Sequence, residues 1–390
     1  MKPFVQSFSV LMTLTKEEYA SLFRKYNTLF VYKDEITWEI KGYENCGLSV
    51  TVLASEGYYF PLTKYDAGYP RYQLQFIVTL AKLLGPNRNL GGITNKNEIK
   101  DACKKWNEIV RKIEKTSGVN LLDKTNLCWV TLEKNIVTPS ELYTREIINL
   151  ARYAFDEYGY KKKNPLGCAN LHDCEVGENH ITLYSNALYT VRDKKYDLSV
   201  NKCQSELNKL GERGLLSFEL FLPDYILVDD YSCPQYITPD LLPELLYQLT
   251  ADRNIIFNKY FGNVFYDGAM FSSDVLRKYL IANYKMSFGM LKVEDMIDFS
   301  NLIRSRKNAN LKHRFTFNQI HSQIAEFEEL KLSPVQASKR CPYIPSFTNM
   351  INDTVDKEML AFALQASGHK HGELVYWDSR QINRLLEGEQ

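Results

Sequence analysis

Between residues 5 and 222 the sequence runs strand, helix, strand twice in succession, and this recurrence limits the fold more than any other feature of the chain. The first round opens with "VQSFSVLMTL", an apolar run of strand character. Thr15 with Glu18 then forms a capping-box signature for a helix starting at "KEEYASLF". "DEITWEIKGY" and "GLSVTVLA" alternate as two strands around an Asn45–Gly47 turn, and "GYYFPLTKY" reads as a third, held to an edge or bend by Pro61. A helix is predicted over "YQLQFIVTLAKLLG", closed by Gly85–Pro86. Another is predicted over 97–118, where Ile99, Trp106, Ile109, Val110 and Ile113 fall at helical spacing. The second round is "NLCWVTLEKNIV" (strand), "PSELYTREIINLARYAFDEYG" (helix, Pro139 in its first turn), "HITLYSNALYTV" (strand), "KCQSELNKLGE" (short helix) and "LLSFELFL" (strand).

After "PDYILVDDYSCPQYITPD" the pattern turns helical, with segments near 240–250, 272–284, 291–305, 315–331 and 355–366. The expected fold class is α+β. Two related halves, 1–120 and 121–232, each carry an antiparallel sheet covered by helices, and a mainly helical C-terminal domain spans 233–390. The repeat is one of pattern, without residue-level identity between the halves.

Charge narrows the partners. A formal net charge of +1 excludes a protein coated in basic residues, so any nucleic-acid footprint has to be a local patch. The eight cysteines include no C-x-x-C pair and suit neither a zinc site nor a disulfide framework. No leader pattern and no apolar run of membrane length occurs, so the expectation is a cytoplasmic protein with reduced thiols and no membrane partner. Neither a G-x-x-x-x-G-K-[ST] loop nor a G-x-G-x-x-G turn is present, which leaves nucleotide-triphosphate and dinucleotide chemistry without support.

Three strand-borne patterns carry polar side chains inside apolar runs: "WVTLEKN" (129–135), "HITLYSN" (180–186) and "LLSFELFL" (215–222). As neighbouring strands they would project Glu133, Tyr184 and Glu219 from one face. Two carboxylates there suit Mg²⁺ or Mn²⁺, hard cations that take oxygen ligands. A metal so held would polarise a scissile phosphate for attack by a tyrosine, giving a phosphotyrosyl intermediate. The competing reading is that these are ordinary solvent-face residues of half-exposed strands.

The order of these patterns resembles the rolling-circle replication initiators of plasmids and phages, of the filamentous-phage gene II type. Thr131-Leu132-Glu133 is similar to the family's Arg-Ile-Asp, Tyr184-Ser185-Asn186 to its Tyr-Asp-Lys, and Leu216-Ser217-Phe218-Glu219 to its Leu-Arg-Phe-Glu. "IVTPSELYTREIINLARYA" and "LKLSPVQASKRCPYIPSF" resemble further family segments. The resemblance implies an initiator-like scaffold that binds DNA at a single-stranded or hairpin origin. It also implies a metal-dependent endonuclease that nicks DNA through Tyr184, with Glu133 and Glu219 holding the divalent metal. The departures are the cations: the family's two arginines and its lysine become Thr131, Ser217 and Asn186. Those charges would stabilise the phosphate in the transition state. Lys134, Arg192, Lys194 and Lys195 are the candidate substitutes. The alternative implied is a catalytically inactive descendant that acts by binding nucleic acid or a protein partner, for example as an inhibitor of a host defence or replication complex.

Outside the strands, "LIRSRKNANLKHR" (302–314) brings Arg304, Arg306, Lys307, Lys312 and Arg314 together with no acid between Asp298 and Glu326, which suits phosphate contacts. A solvated helix end explains it equally well. Lys194 and Lys195 form a second basic cluster, and Lys161–Lys163 a third. "YYFPLTKYDAGYPRY" (58–72) interleaves aromatics with Lys64 and Arg71, as a single-strand stacking surface or a tyrosine-rich edge strand would. The H-x-H pair His369 and His371 could share a metal-ligand face on a strand but reads more readily as a solvated loop, and His180, four before Tyr184, either orients the tyrosine or fills the sheet edge, the latter slightly favoured.

Overall fold

The computed structural model describes residues 3–32, 37–44, 46–55, 71–85, 93–151, 173–176, 181–185, 213–234, 236–251, 268–304 and 314–368. These residues are mixed α and β, and they divide into two compact units. One comprises Lys2–Glu133 with Phe221–Arg253, the other Lys134–Leu220 with Asn254–Gln390 and Met1.

The first unit is built on an antiparallel sheet of β1 (Phe4–Leu14), β2 (Phe30–Tyr32), β3 (Trp38–Ile40), β4 (Leu48–Ser55), β5 (Arg71–Thr79) and the start of β6 (Thr125–Thr138). Their order is β2-β3-β4-β5-β1-β6. Strand β1 has a partner on each side: Val10 stands opposite Phe76 of β5 and Leu127 of β6. That central place explains why nearly all of "FVQSFSVLMTL" is apolar or buried.

Helix α1 (Lys16–Arg24) starts as its sequence predicts. The Thr15 hydroxyl accepts from the Glu18 amide at 3.2 Å, and the Glu18 carboxylate accepts from the Thr15 amide at 2.9 Å. A short turn, α2 (Tyr26–Leu29), leads into β2. Helix α4 (Lys96–Ser117) buries Ile99, Trp106, Ile109, Val110 and Ile113, the predicted stripe. Trp106 presents its edge to Phe76 at 4.8 Å and to Phe8 at 6.3 Å, seating the helix on β5 and β1. Helices α6 (Asp224–Tyr231) and α7 (Leu241–Ala251) complete this unit, and Glu244 of α7 pairs with Lys96 of α4 at 2.8 Å.

One expectation is overturned. The stretch predicted as a helix over 72–85 is strand β5 followed by only a short helix, α3 (Leu80–Leu84). Leu74, Phe76 and Val78 are buried in alternation, the period of a strand. Pairing with β1 on one side and β4 on the other decides the matter over a local pattern that suits either state.

The second unit contains the end of β6, the antiparallel strands β7 (Asp173–Val176), β8 (Ile181–Ser185) and β9 (Gly214–Pro223), and a set of helices. Helix α5 (Glu141–Ala151) follows β6 through a turn in which the Thr138 and Thr144 hydroxyls meet at 2.7 Å. Helix α8 (Ser273–Arg304) is two helices broken at Gly289, whose φ of 75° and ψ of 162° end the first, close to the predicted gap between 284 and 291. Helices α9 (Phe317–Glu329), α10 (Phe347–Ile351) and α11 (Lys357–Ser367) follow. Phe299 packs with Phe315 and Phe327, while a two-stranded ribbon of β10 (Met270–Phe271) and β11 (Tyr343–Ile344) brings Phe271 against Tyr343 and Tyr279. Among the described residues no helix is long and apolar enough to cross a membrane.

Candidate nucleic-acid site

Strand β8, β9 up to Leu220 and the end of β6 from Lys134 onward lie in the second unit. Strands β8 and β9 pair antiparallel, with Tyr184 opposite Ser217 and Thr182 opposite Glu219. The end of β6 lies against β9, because the Ser217 hydroxyl donates to Asn135 Oδ1 at 2.5 Å. Alternation along β9 sets Ser217 and Glu219 on one side and Leu216, Phe218 and Leu220 on the other. The apolar side is fully buried, with Phe218 edge-on to Phe347 of α10. The polar side carries Asn135 and Ser217, both 0% exposed, and Glu219, which is half-buried.

Asn135 lies inside the motif "WVTLEKN" and carries no expected role from the sequence. Its position, two residues beyond Glu133 on the same strand, is the signal that marks it as a companion of the motif residues. The resemblance implies an arginine where Ser217 stands. Here a neutral amide and a hydroxyl bonded to each other occupy that place, and neither brings the positive charge that an arginine would set against a phosphate.

Glu133 and Thr131 lie in the first unit, buried at 3% and 5% exposure, opposite Phe4 and Ser7 of β1. Among the described residues no three His, Cys, Asp or Glu side chains gather into a group able to hold a metal ion.

Lys134, named from the sequence as a substitute cation, follows Glu133 and so turns to the opposite side of β6. It is 1% exposed, and its ammonium lies 3.4 Å from Asp353 Oδ2. Burial pushes its pKa below the ordinary lysine range, and the Asp353 carboxylate opposes that shift. The unfolded chain then holds this proton more tightly than the folded one. Stability consequently rises with pH between the folded value and the unfolded value, and the penalty is full below both. Lys134→Met is expected to abolish that rise and to leave neutral-pH stability unchanged or higher. Asp353→Ala, which removes the carboxylate beside the buried ammonium, is expected to lose about 2 kcal/mol. Urea titrations between about pH 7 and about pH 10 read both effects.

Of the predicted phosphate contacts, two are described. Arg304 ends α8 and is engaged within the unit: Nη1 donates to Glu146 Oε1 at 2.8 Å and also to the Gln336 carbonyl. Arg314, more than half exposed, pairs with Asp298. Arg306, Lys307, Lys312, Lys194, Lys195, Arg192, Lys161–Lys163, Asn186, His180, His369, His371 and Lys64 lie outside the described residues, as does the strand predicted over 57–65. The backbone of Tyr184 is described through its strand register alone. No known protein family, curated protein or solved structure matches the chain.

Proposed function

We propose that the chain is a replication-initiator-like protein of a phage or plasmid that binds single-stranded or hairpin DNA, and that it does so without completing strand transfer. The observation that carries this reading is the buried Asn135–Ser217 pair beside the register position of Tyr184. Phosphoryl transfer is catalysed almost entirely by positioning and by charge placed on the phosphate oxygens. A sheet that fills the arginine position with a neutral hydroxyl–amide pair lacks that charge while its strands stay available for docking. The two halves inferred from the sequence belong to the same proposal, as remnants of an initiator scaffold.

Glu219 favours a second reading. Its register partner Thr182 is two residues from Tyr184 on β8, so a carboxylate position remains close to the tyrosine position. On that reading Tyr184 nicks DNA, with Mg²⁺ or Mn²⁺ as cofactor.

Incubation of the protein with labelled pools of single-stranded and hairpin DNA plus Mn²⁺, followed by denaturing gels, separates the two. The expected result is retention of DNA on native gels with no covalent protein–DNA adduct, and retention unchanged in Tyr184→Phe. An adduct that disappears in Tyr184→Phe would establish the nickase instead.

A further inference from the structure

The first unit carries a row of aromatic rings that its core does not need. Tyr72 of β5 lies 4.9 Å from Tyr19 of α1. Tyr19 stacks on Phe23 at 6.0 Å with 19° between the planes, Phe23 lies 5.8 Å from Tyr26, and Tyr26 meets Trp38 edge-on at 5.5 Å. Tyr19, Phe23 and Tyr26 recur at four and three residues, which is one face of α1 continued into α2. The buried apolar residues of that segment are Leu22 and Leu29, one step away on the side facing the sheet.

Exposure sets the row apart from an ordinary core cluster. Phe23 is 57% exposed and Tyr32, at the end of the adjoining β2, is 66% exposed, while Tyr19, Tyr26, Trp38 and Tyr72 are half-buried. Contiguous apolar surface of this kind marks an interaction site more often than isolated exposed residues do. Burial and the neighbouring phenol raise the pKa of both Tyr19 and Tyr26, so these hydroxyls stay neutral.

Cations border the rings. Lys16, Arg24 and Lys25 are exposed at the two ends of α1. Of the two acids on this helix, Glu18 is taken up by Lys124 at 2.5 Å and by its own cap, leaving Glu17. Rings in series flanked by lysine and arginine are what a single-stranded nucleic acid requires: the bases stack on ring faces and the phosphates meet the cations.

We infer that Tyr72, Tyr19, Phe23, Tyr26 and Trp38, bordered by Lys16, Arg24 and Lys25, form a stacking platform for single-stranded nucleic acid. This platform is carried by α1, α2, β3 and β5 of the first unit, none of which bears a motif, so it goes beyond the function proposed above. Recognition here is independent of sequence, because every base offers a π-face, and it does not involve Tyr184.

The test uses the full chain, a fluorescent oligothymidylate of roughly 15 nucleotides, and an abasic oligomer of the same length that keeps the phosphates and lacks the bases. Wild type is expected to bind the oligothymidylate at least about tenfold more tightly than the abasic oligomer. Phe23→Ala, a change at an exposed position, is expected to weaken oligothymidylate binding by roughly tenfold, leave the abasic oligomer unaffected, and be rescued by Phe23→Trp. Lys25→Gln is expected to weaken both oligomers and to lower the salt slope by about one. Equal affinity of wild type for the two oligomers, or Phe23→Ala binding like wild type, would overturn the platform. Hairpin DNA run in parallel keeps the two ideas apart: an inert Phe23→Ala with hairpin binding intact sinks the platform alone, whereas loss of hairpin binding by wild type sinks the proposed function.

Discussion

Trp106→Ala is expected to lower the stability of the first unit by about 4 kcal/mol, the largest effect of any single substitution considered for this chain. The indole is 1% exposed and lies between Phe8 of β1 and Phe76 of β5, edge-on to both. Those two strands are neighbours at the centre of the sheet, and α4 touches them through this side chain, with Ile99, Ile109, Val110 and Ile113 buried along the same helix. Truncation removes the largest buried side chain of the unit and leaves a cavity that rigid strands on one side and a long helix on the other cannot close. The cost is the lost transfer free energy plus the cavity term. Trp106→Phe keeps most of the volume and is expected to cost about half as much. Urea unfolding followed by far-UV circular dichroism measures both, since removing an indole would compromise a fluorescence readout.

The second large effect is expected at Glu146. Its carboxylate is 7% exposed, and Oε1 accepts from Arg304 Nη1 at 2.8 Å and from the Ser338 amide at 2.6 Å. Arg304 in turn donates to the Gln336 carbonyl. One acid thus ties α5, the end of α8 and the extended segment around residue 336 to one another. Glu146→Ala removes the carboxylate bonded to that guanidinium and to the Ser338 amide, at a cost of about 3 kcal/mol. Glu146→Gln keeps an acceptor without its charge and is expected to cost roughly half of that. Arg304→Ala belongs to the same test. If the arginine serves the fold, its loss lowers stability in a urea titration and leaves the salt slope of DNA binding unchanged. A slope reduced by about one would instead return Arg304 to the phosphate contacts predicted from the sequence.

Local signals in the sequence carried much of this fold. The capping box at Thr15 and Glu18 and the apolar stripe of α4 are short-range features, so the residues that determine them lie within a few turns of one another. Residues 72–85 were misread for the opposite reason. Leu74, Ile77, Val78 and Ala81 satisfy helical spacing, while Leu74, Phe76, Val78 and Leu80 satisfy strand spacing. The choice between them is made by β1 and β4, which are distant in sequence. The motif strands could be read because each is an apolar run interrupted by a polar residue. The partners of those residues could not. Ser217 and Asn135 are 82 residues apart, and Lys134 and Asp353 are 219 apart. No periodicity reports such pairs, so neither the neutral lock beside the tyrosine position nor the buried ammonium behind it was visible before the fold.

The proposed DNA binding without transfer cations is read by a salt titration of binding to hairpin and single-stranded DNA pools in the presence of EDTA. Binding is expected to weaken steeply as salt rises, to be indifferent to chelation, and to be the same for wild type and Tyr184→Phe. Absence of salt-dependent binding to either pool would contradict it and turn attention to a protein partner.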